Sequence, residues 1–363
     1  MIEKWGTMHN LPPETATAAR FPLSDRVLAL DVGGANIKAA DGRGRVHCEA
    51  FPLWQRWREL PTRLAGIVEE WQPQRIVATM TGEITDCYAD RAAGVAAIVS
   101  ALEVAAAMVT PAADLAIYLV DGRLVPAGVA LEHPLEAAAS NWHALARLAA
   151  SSAGVERGLL IDVGSTTTDI LAIDARGPVP LAKDDAGRML SGELVYTGID
   201  RTPVAAIVRS LPLAGRLRPV ATELYARSQD VWLLLGGLPE DPGSTDTADG
   251  RAATREAARV RLARMFLVEP ASVTLAAATF AAEACAEAQG LRVARAIDRV
   301  LGRHRWRPQR VVVSGHGTCL AELALARLGW FGTVIRLEKE IGPELSRAAP
   351  AHALALIARG ELP

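Results

Sequence analysis

Residues 26–40 read RVLALDVGGANIKAA, and residues 158–174 read GLLIDVGSTTTDILAID. In each, an apolar run ends in an aspartate, a glycine turn follows, and a second strand-like run begins. That order describes a buried strand, a tight turn and a returning strand, because glycine accepts the backbone conformations a hairpin turn requires. The segments align without gaps through Leu-x-x-Asp-Val-Gly, about 130 residues apart. A signal repeated at that spacing points to two related halves.

Working outward, Val46–Phe51 and Arg75–Met80 continue the first strand set, and Ala116–Val125 reads as a hairpin turning at Asp121-Gly122. Helical spacing marks Leu60–Trp71 and Ala92–Met108. In the second half it marks Ala271–Ala288, Arg292–Arg303, Cys319–Leu328 and Pro350–Arg359. Arg310–Ser314 is a buried strand running into Gly315-His316-Gly317. Thr333–Leu337 is the last strand.

Three of these segments share a chemical theme. Asp31 and Asp162 each close a strand and precede a turn of small residues: Gly33, Gly34, Ala35 and Asn36 in one, Gly164, Ser165, Thr166 and Thr167 in the other. Backbone N–H groups in such turns can approach phosphate oxygens closely. A carboxylate at the strand end is placed to hold Mg²⁺, directly or through its waters. Gly315 and Gly317 lie before a helix, a third place for an anion or a nucleotide sugar.

The composition narrows the class. With 363 residues, 50% of them apolar and 22% charged, the chain is an ordinary globular protein of about two domains, and its formal net charge of -2 asks for neither nucleic acid nor an anionic membrane. Ala92–Val109 comes nearest to a membrane span but is broken by Glu103. The four cysteines are scattered without C-x-x-C spacing, which fits a reducing cytoplasm and core positions. Residues 1–26 lack the apolar stretch of a signal peptide and read as a flexible extension. Only Lys4, Lys38, Lys183 and Lys339 are lysine among 39 basic residues, so Lys38 beside the first turn is informative.

The ordered triple resembles the two phosphate loops and the adenosine loop of the actin, sugar-kinase and heat-shock ATPase superfamily, over about Val27 to Leu362. Longer phrases narrow the resemblance: Thr79–Glu83, His133-Pro134, Ala139–His143, Gly192–Gly198 with Arg201-Thr202-Pro203, and Thr247–Gly250. These are similar to the hydantoinase/oxoprolinase-like branch that accompanies methanopterin-linked one-carbon metabolism. The resemblance implies an α/β fold of two duplicated ribonuclease H-like domains around a central cleft. The domains expected are 27–155 and 156–363, the second with an insertion around 176–290 and a closing helix, 350–363, returning to the first.

The implied reaction is a condensation. An (aminomethyl)furanmethanol diphosphate loses pyrophosphate to the phenol oxygen of γ-glutamyltyramine or a tyrosine-type acceptor, as part of methanofuran or methylofuran biosynthesis. The partners are then small molecules, and the oligomeric state stays open. Asp31 and Asp162 are expected to position Mg²⁺, the two turns with Thr168 and Asp169 to bind phosphate, and Lys38 to pair with a phosphate oxygen. Glu193, Asp200 and Glu83 are candidates for the base that the phenol requires. Asn141, Arg188 and Arg201 are expected to contact substrate. Two other readings stay open: an ATP-dependent hydrolase or kinase of the same fold, and a nucleotide-binding protein without turnover. Whether ATP binds is left undecided by the sequence.

Overall fold

β1 (Val27–Val32) is buried along its whole length, which is why, Asp31 apart, its sequence is a continuous apolar run rather than an alternating one. The chain is described here from a computed structural model over residues 25–154 and 156–362; apart from its last two residues, the expected extension 1–26 lies outside that range. β1 turns into the antiparallel β2 (Asn36–Ala40), which pairs with β3 (Val46–Ala50). On its other edge β1 pairs in parallel with β4 (Arg75–Met80), followed by β5 (Asp114–Tyr118) and a short antiparallel β6 (Leu124–Pro126).

The second half repeats this plan. β7 (Gly158–Val163) pairs antiparallel with β8 (Thr168–Asp174), which also takes β9 (Gly177–Pro178) and β10 (Leu194–Val195). A small separate hairpin, β11 (Ser210–Leu213) and β12 (Arg216–Pro219), intervenes. β13 (Arg310–Ser314) then joins β7 in parallel, and β14 (Thr333–Arg336) closes the far edge. The two sheets run β3-β2-β1-β4-β5-β6 and β10-β8-β7-β13-β14. Five strands of each match in order and sense, so these are two duplicated units, as the repeated hairpin implied, and of the ribonuclease H-like kind that the resemblance implied.

Alternation along the strands sorts side chains between layers. Leu28, Leu30 and Val32 pack with the helices Leu60–Trp71 and Arg91–Ala106, whereas Val27 and Ala29 enter a cluster shared by both sheets. Likewise Leu159, Ile161 and Val163 face one way and Leu160 enters the shared cluster. By the same parity Asp31 and Asp162 lie on the faces that turn toward the layer between the sheets.

Two helices fill that layer and pack on each other, Asn141–Ala153 and Ala349–Ala358. The first lies on β7, β8, β9 and β13; the second lies on β1, β2 and β4. The first sheet is thus covered by a helix from the far end of the chain, and the second by the helix that leads directly into β7. Leu145, Leu148 and Leu354 are all buried there, and each full burial is worth roughly 2 kcal/mol.

Elsewhere two expectations are corrected. Two helices, Ala271–Ala288 and Arg292–Arg303, are a single helix Leu275–His304. Gly290, at the expected break, sits where a Cβ would come 2.8 Å from Leu323 Cγ. It is a contact point for the helix Thr318–Arg327 and not a terminator. The cysteines are free, but only Cys285 is a buried core residue; Cys48 is exposed. No helix among the described residues is long and apolar enough to cross a membrane.

Candidate active site

The two repeated turns have the same internal geometry. Gly33 N–H donates to the Asn36 carbonyl at 2.9 Å, and Gly164 N–H donates to the Thr167 carbonyl at 3.0 Å. In both, the carbonyl oxygens are tied back by neighbouring loops. Gly34 and Ala35 accept from the N–H groups of Leu53 and Phe51 (2.9 and 2.8 Å). Gly164 accepts from Ile199 N–H (3.0 Å), and Ser165 from those of Asp200 and Arg201 (3.1 and 3.0 Å). Among the described residues the N–H groups of Gly34, Ala35, Ser165 and Thr166 make no backbone hydrogen bond. Carbonyls held outward and donors left free are what an anion-binding turn requires.

Both turns open on one cleft of about 300 Å³ between the sheets. Of the expected residues, Asp31, Gly33, Gly34, Ala35, Asn36, Lys38, Asn141, Ser165, Thr166, Thr167, Asp169, Arg188 and Arg201 line it, as does Glu83. That volume is at the lower end for small-ligand sites.

Strand register sets the charges. Asp31 lies opposite Lys38 across β1 and β2, and Asp162 lies opposite Asp169 across β7 and β8. The duplicated position that is lysine in one half is therefore a carboxylate in the other. Lys38 Nζ stands 3.7 Å from Asp31 Oδ2, while Asp31 Oδ1 is buried without a partner. Burial raises the Asp31 carboxyl above its ordinary range, opposed by Lys38 and by the Asn141 side chain. Asp162 is pushed up to about 6 by burial and by the Asp169 charge, with Ser314, Lys38 and His316 pulling the other way. Asp169 is also raised by burial, moderated by Arg188. A set of buried carboxylates that repel one another suits a hard cation with oxygen ligands. Among the described residues, no group of three or more His, Cys, Asp or Glu side chains forms a ready-made metal cage.

Several expected residues lie elsewhere. Asp162 and Gly164 are set behind the cleft lining. The Thr168 hydroxyl is buried and donates to the Thr197 carbonyl at 2.7 Å, so it does not face a ligand. Glu193, expected to be catalytic, is buried outside the cleft. Its carboxylate accepts from the N–H groups of Leu181 and Ala182 (2.7 and 3.1 Å) and from Ser191 Oγ at 2.8 Å, which makes it a loop clasp. Arg188 is almost wholly buried; it donates to Asp169 Oδ1 at 2.5 Å and stacks 4.2 Å from the Trp142 ring centre. It orients Asp169 more than it offers itself to a substrate.

Gly315 and Gly317 are outside the lining as well. A Cβ on Gly315 would come 2.2 Å from the Val163 carbonyl oxygen, and one on Gly317 2.3 Å from Val163 Cγ1. These glycines let the turn pack on the end of β7. The turn is pinned there by Asp200, whose Oδ2 accepts from Ser165 Oγ at 2.5 Å and lies 2.6 Å from His316 Nε2.

Sequence reasoning missed the contacts that bridge the cleft. Arg201 Cζ stacks 4.8 Å from the Trp54 ring, and among the described residues it has no ion-pair partner. Arg91 Nη2 meets Asp185 Oδ2 at 2.6 Å. Thr81, Thr85 and Tyr196 also line the cleft. Thr81 and Tyr196 fall inside phrases already singled out by resemblance. Trp54 and Asp185 carry no local signal, because each acquires its partner only through the tertiary fold.

Known proteins add four likenesses. The family model described as hydantoinase/oxoprolinase matches residues 75–358. The (4-{4-[2-(γ-L-glutamylamino)ethyl]phenoxymethyl}furan-2-yl)methanamine synthase of Methanocaldococcus jannaschii is 28% identical over 341 residues, 93% of this chain and 98% of that protein. The protein of the same name from Methanococcus vannielii is 25% identical over 207 residues, 56% of this chain and 91% of that one. Among solved structures, nucleotide-free acetone carboxylase shares the fold with a TM-score of 0.55 at 10% identity, covering 91% of this chain and 70% of the other.

Proposed function

The chain is an enzyme belonging to the hydantoinase/oxoprolinase family, and on that premise we propose that it condenses an (aminomethyl)furanmethanol diphosphate with a phenolic acceptor, releasing pyrophosphate. The acceptor is γ-glutamyltyramine or a tyrosine-type analogue, and the product belongs to methanofuran or methylofuran biosynthesis. The observation that carries this reading is the likeness, over nearly the whole chain, to a synthase whose printed product contains a phenoxymethyl-furan link. The cleft supports it, since one small site brings together two turns with free N–H donors and three cationic side chains, Lys38, Arg188 and Arg201, of which Arg188 is tied to Asp169.

The chemistry follows from the substrate. A furylmethyl carbon bearing diphosphate ionises readily because the ring oxygen stabilises developing positive charge. The protein then has mainly to stabilise the leaving group, which preorganised donors do well. The free N–H groups of Gly34, Ala35, Ser165 and Thr166 would hold its oxygens, with the Thr166 and Thr167 hydroxyls adding donors. Lys38 would neutralise charge from the first half and Arg201 from the second. Mg²⁺ would be held through Asp31 Oδ1, with Asp162, set behind the lining, acting through a water, and would offset diphosphate charge. Asn141, next to Asp31 at the start of its helix, would contact the furan side.

The test is an incubation with the furan diphosphate with and without acceptor, with no nucleotide present. The reading requires pyrophosphate release in step with ether formation, and inhibition by added pyrophosphate. Strict ATP dependence with formation of ADP and orthophosphate would overturn it in favour of an ATP-dependent hydrolase or kinase.

A further inference from the structure

An acceptor phenol ionises near pH ~10, so the condensation proposed above needs a proton acceptor within reach of the cleft. Glu83, Glu193 and Asp200 are the candidates for that role from the sequence, and the structure separates them. Glu193 is saturated by two backbone N–H groups and a serine hydroxyl away from the cleft. Asp200 is held by Ser165 and His316. Glu83 lines the cleft, is 1% exposed, and neither carboxylate oxygen reaches hydrogen-bonding geometry with any partner. A buried acid left without a partner is costly and calls for an explanation.

Backbone contacts, not side-chain partners, put it there. The N–H groups of Thr81 and Gly82 both donate to the Val32 carbonyl at 3.0 Å, fastening the segment after β4 to the end of β1. On the other side Gly94, in the helix Arg91–Ala106, lies so close that a Cβ would come 2.1 Å from the Glu83 carbonyl oxygen. The main chain is clamped between a strand end and a helix, and the carboxylate is held at the cleft wall, where the nearby N–H groups of Glu83 and Ala139 fall short of hydrogen-bonding geometry.

We propose that Glu83 is the general base that takes the phenol proton of the acceptor. The inference rests on the condensation reading and deepens it. As the phenol oxygen attacks the furylmethyl carbon, its proton passes to a Glu83 oxygen. The new C–O bond forms while the bond from that carbon to the diphosphate oxygen breaks, its electron pair leaving with pyrophosphate. The neutral Glu83 then returns its proton to solvent as product departs. Burial pushes the Glu83 carboxyl up to about 7. Arg91 and the backbone N–H groups of Glu83 and Ala139 oppose that rise, and Asp185 adds to it. Against a phenol near ~10, proton transfer is then unfavourable by about 10³ instead of about 10⁶ for an ordinary carboxylate.

The experiment compares wild type with Glu83→Gln, using γ-glutamyltyramine and ring-fluorinated analogues whose phenols are more acidic. The variant should lose about 10²- to 10⁴-fold in kcat, keep the wild-type inhibition constant for pyrophosphate, and lose the acid limb of the kcat profile near pH 7. Fluorination should restore the variant far more than it speeds wild type. Should the variant not fold, the wild-type profile alone decides, since the acid limb must stay near pH 7 whatever the acceptor's acidity. Wild-type kcat in the variant, or equal gains from fluorination in both proteins, overturns the base assignment and leaves the condensation standing. Absence of ether with the wild-type protein overturns both.

Discussion

Replacing Glu83 by glutamine should change stability in a pH-dependent way whose sign is fixed by burial. The native carboxyl is raised from 4.5 to about 7. Between those values the folded chain keeps a proton that the unfolded chain has released, so stability falls as pH rises, by about 1.4 kcal/mol per unit. The loss begins near pH 4.5, totals about 3 kcal/mol, and is complete once pH has passed the native value. Glutamine does not titrate and escapes it. Relative to wild type, Glu83→Gln should gain nothing at pH 4.5 and about 3 kcal/mol at pH 8. With an unfolding entropy of roughly 2.1 cal/mol/K per residue, that is about 4 °C in Tm. Urea and thermal unfolding of both proteins at pH 4.5, 6 and 8 measures it. The other raised acids, Asp31, Asp162 and Asp169, cancel in the comparison. An orphaned amide would lower all three values equally, so the slope is the test. A difference that does not grow with pH refutes the claim that Glu83 is buried without compensation.

Asp162→Asn should lower kcat/KM by about 10²-fold or more, the scale of losing one preorganised electrostatic group, with circular dichroism unchanged and with EDTA reproducing the loss in wild type. Lys38→Ala removes a charge-assisted contact. It should weaken inhibition by pyrophosphate about tenfold while leaving KM for the acceptor unchanged, as a steady-state inhibition series would show. Leu354→Ala empties a fully buried site between the sheets and should cost about 2–5 kcal/mol, read from the urea midpoint.

The fold was legible where burial wrote itself into local sequence. β1 and β7 are apolar up to their aspartates because both faces are covered, and a glycine turn at the end of each announces the return strand. The helix Leu60–Trp71 falls where its spacing put it. A periodic apolar face cannot say which sheet it will meet, however, so nothing in Asn141–Ala153 revealed that it lies on the second sheet. The site divides in the same way. The alignment of the two halves put Asp31 and Asp162 at equivalent strand ends, but the Asp31–Lys38 and Asp162–Asp169 pairs emerge only from the hairpin register. Glu193 looked as available as Glu83 in one dimension, and the difference is made by the N–H groups of Leu181 and Ala182. Trp54 found Arg201 only by folding across the cleft.

The crossing of the two central helices has a consequence for synthesis. β1 leaves the ribosome near the start of the described chain, yet the face carrying Val27 and Ala29 receives the helix Ala349–Ala358 only after some three hundred further residues have emerged. Throughout that interval the first sheet presents an uncovered apolar surface, a hazard for association with other nascent chains. A fragment cut between the sheets would keep this surface for good. Joining residue 358 to residue 25 and opening new ends between the sheets would instead put the covering helix just ahead of the strand it covers, and such a permuted chain should be released in a less sticky state.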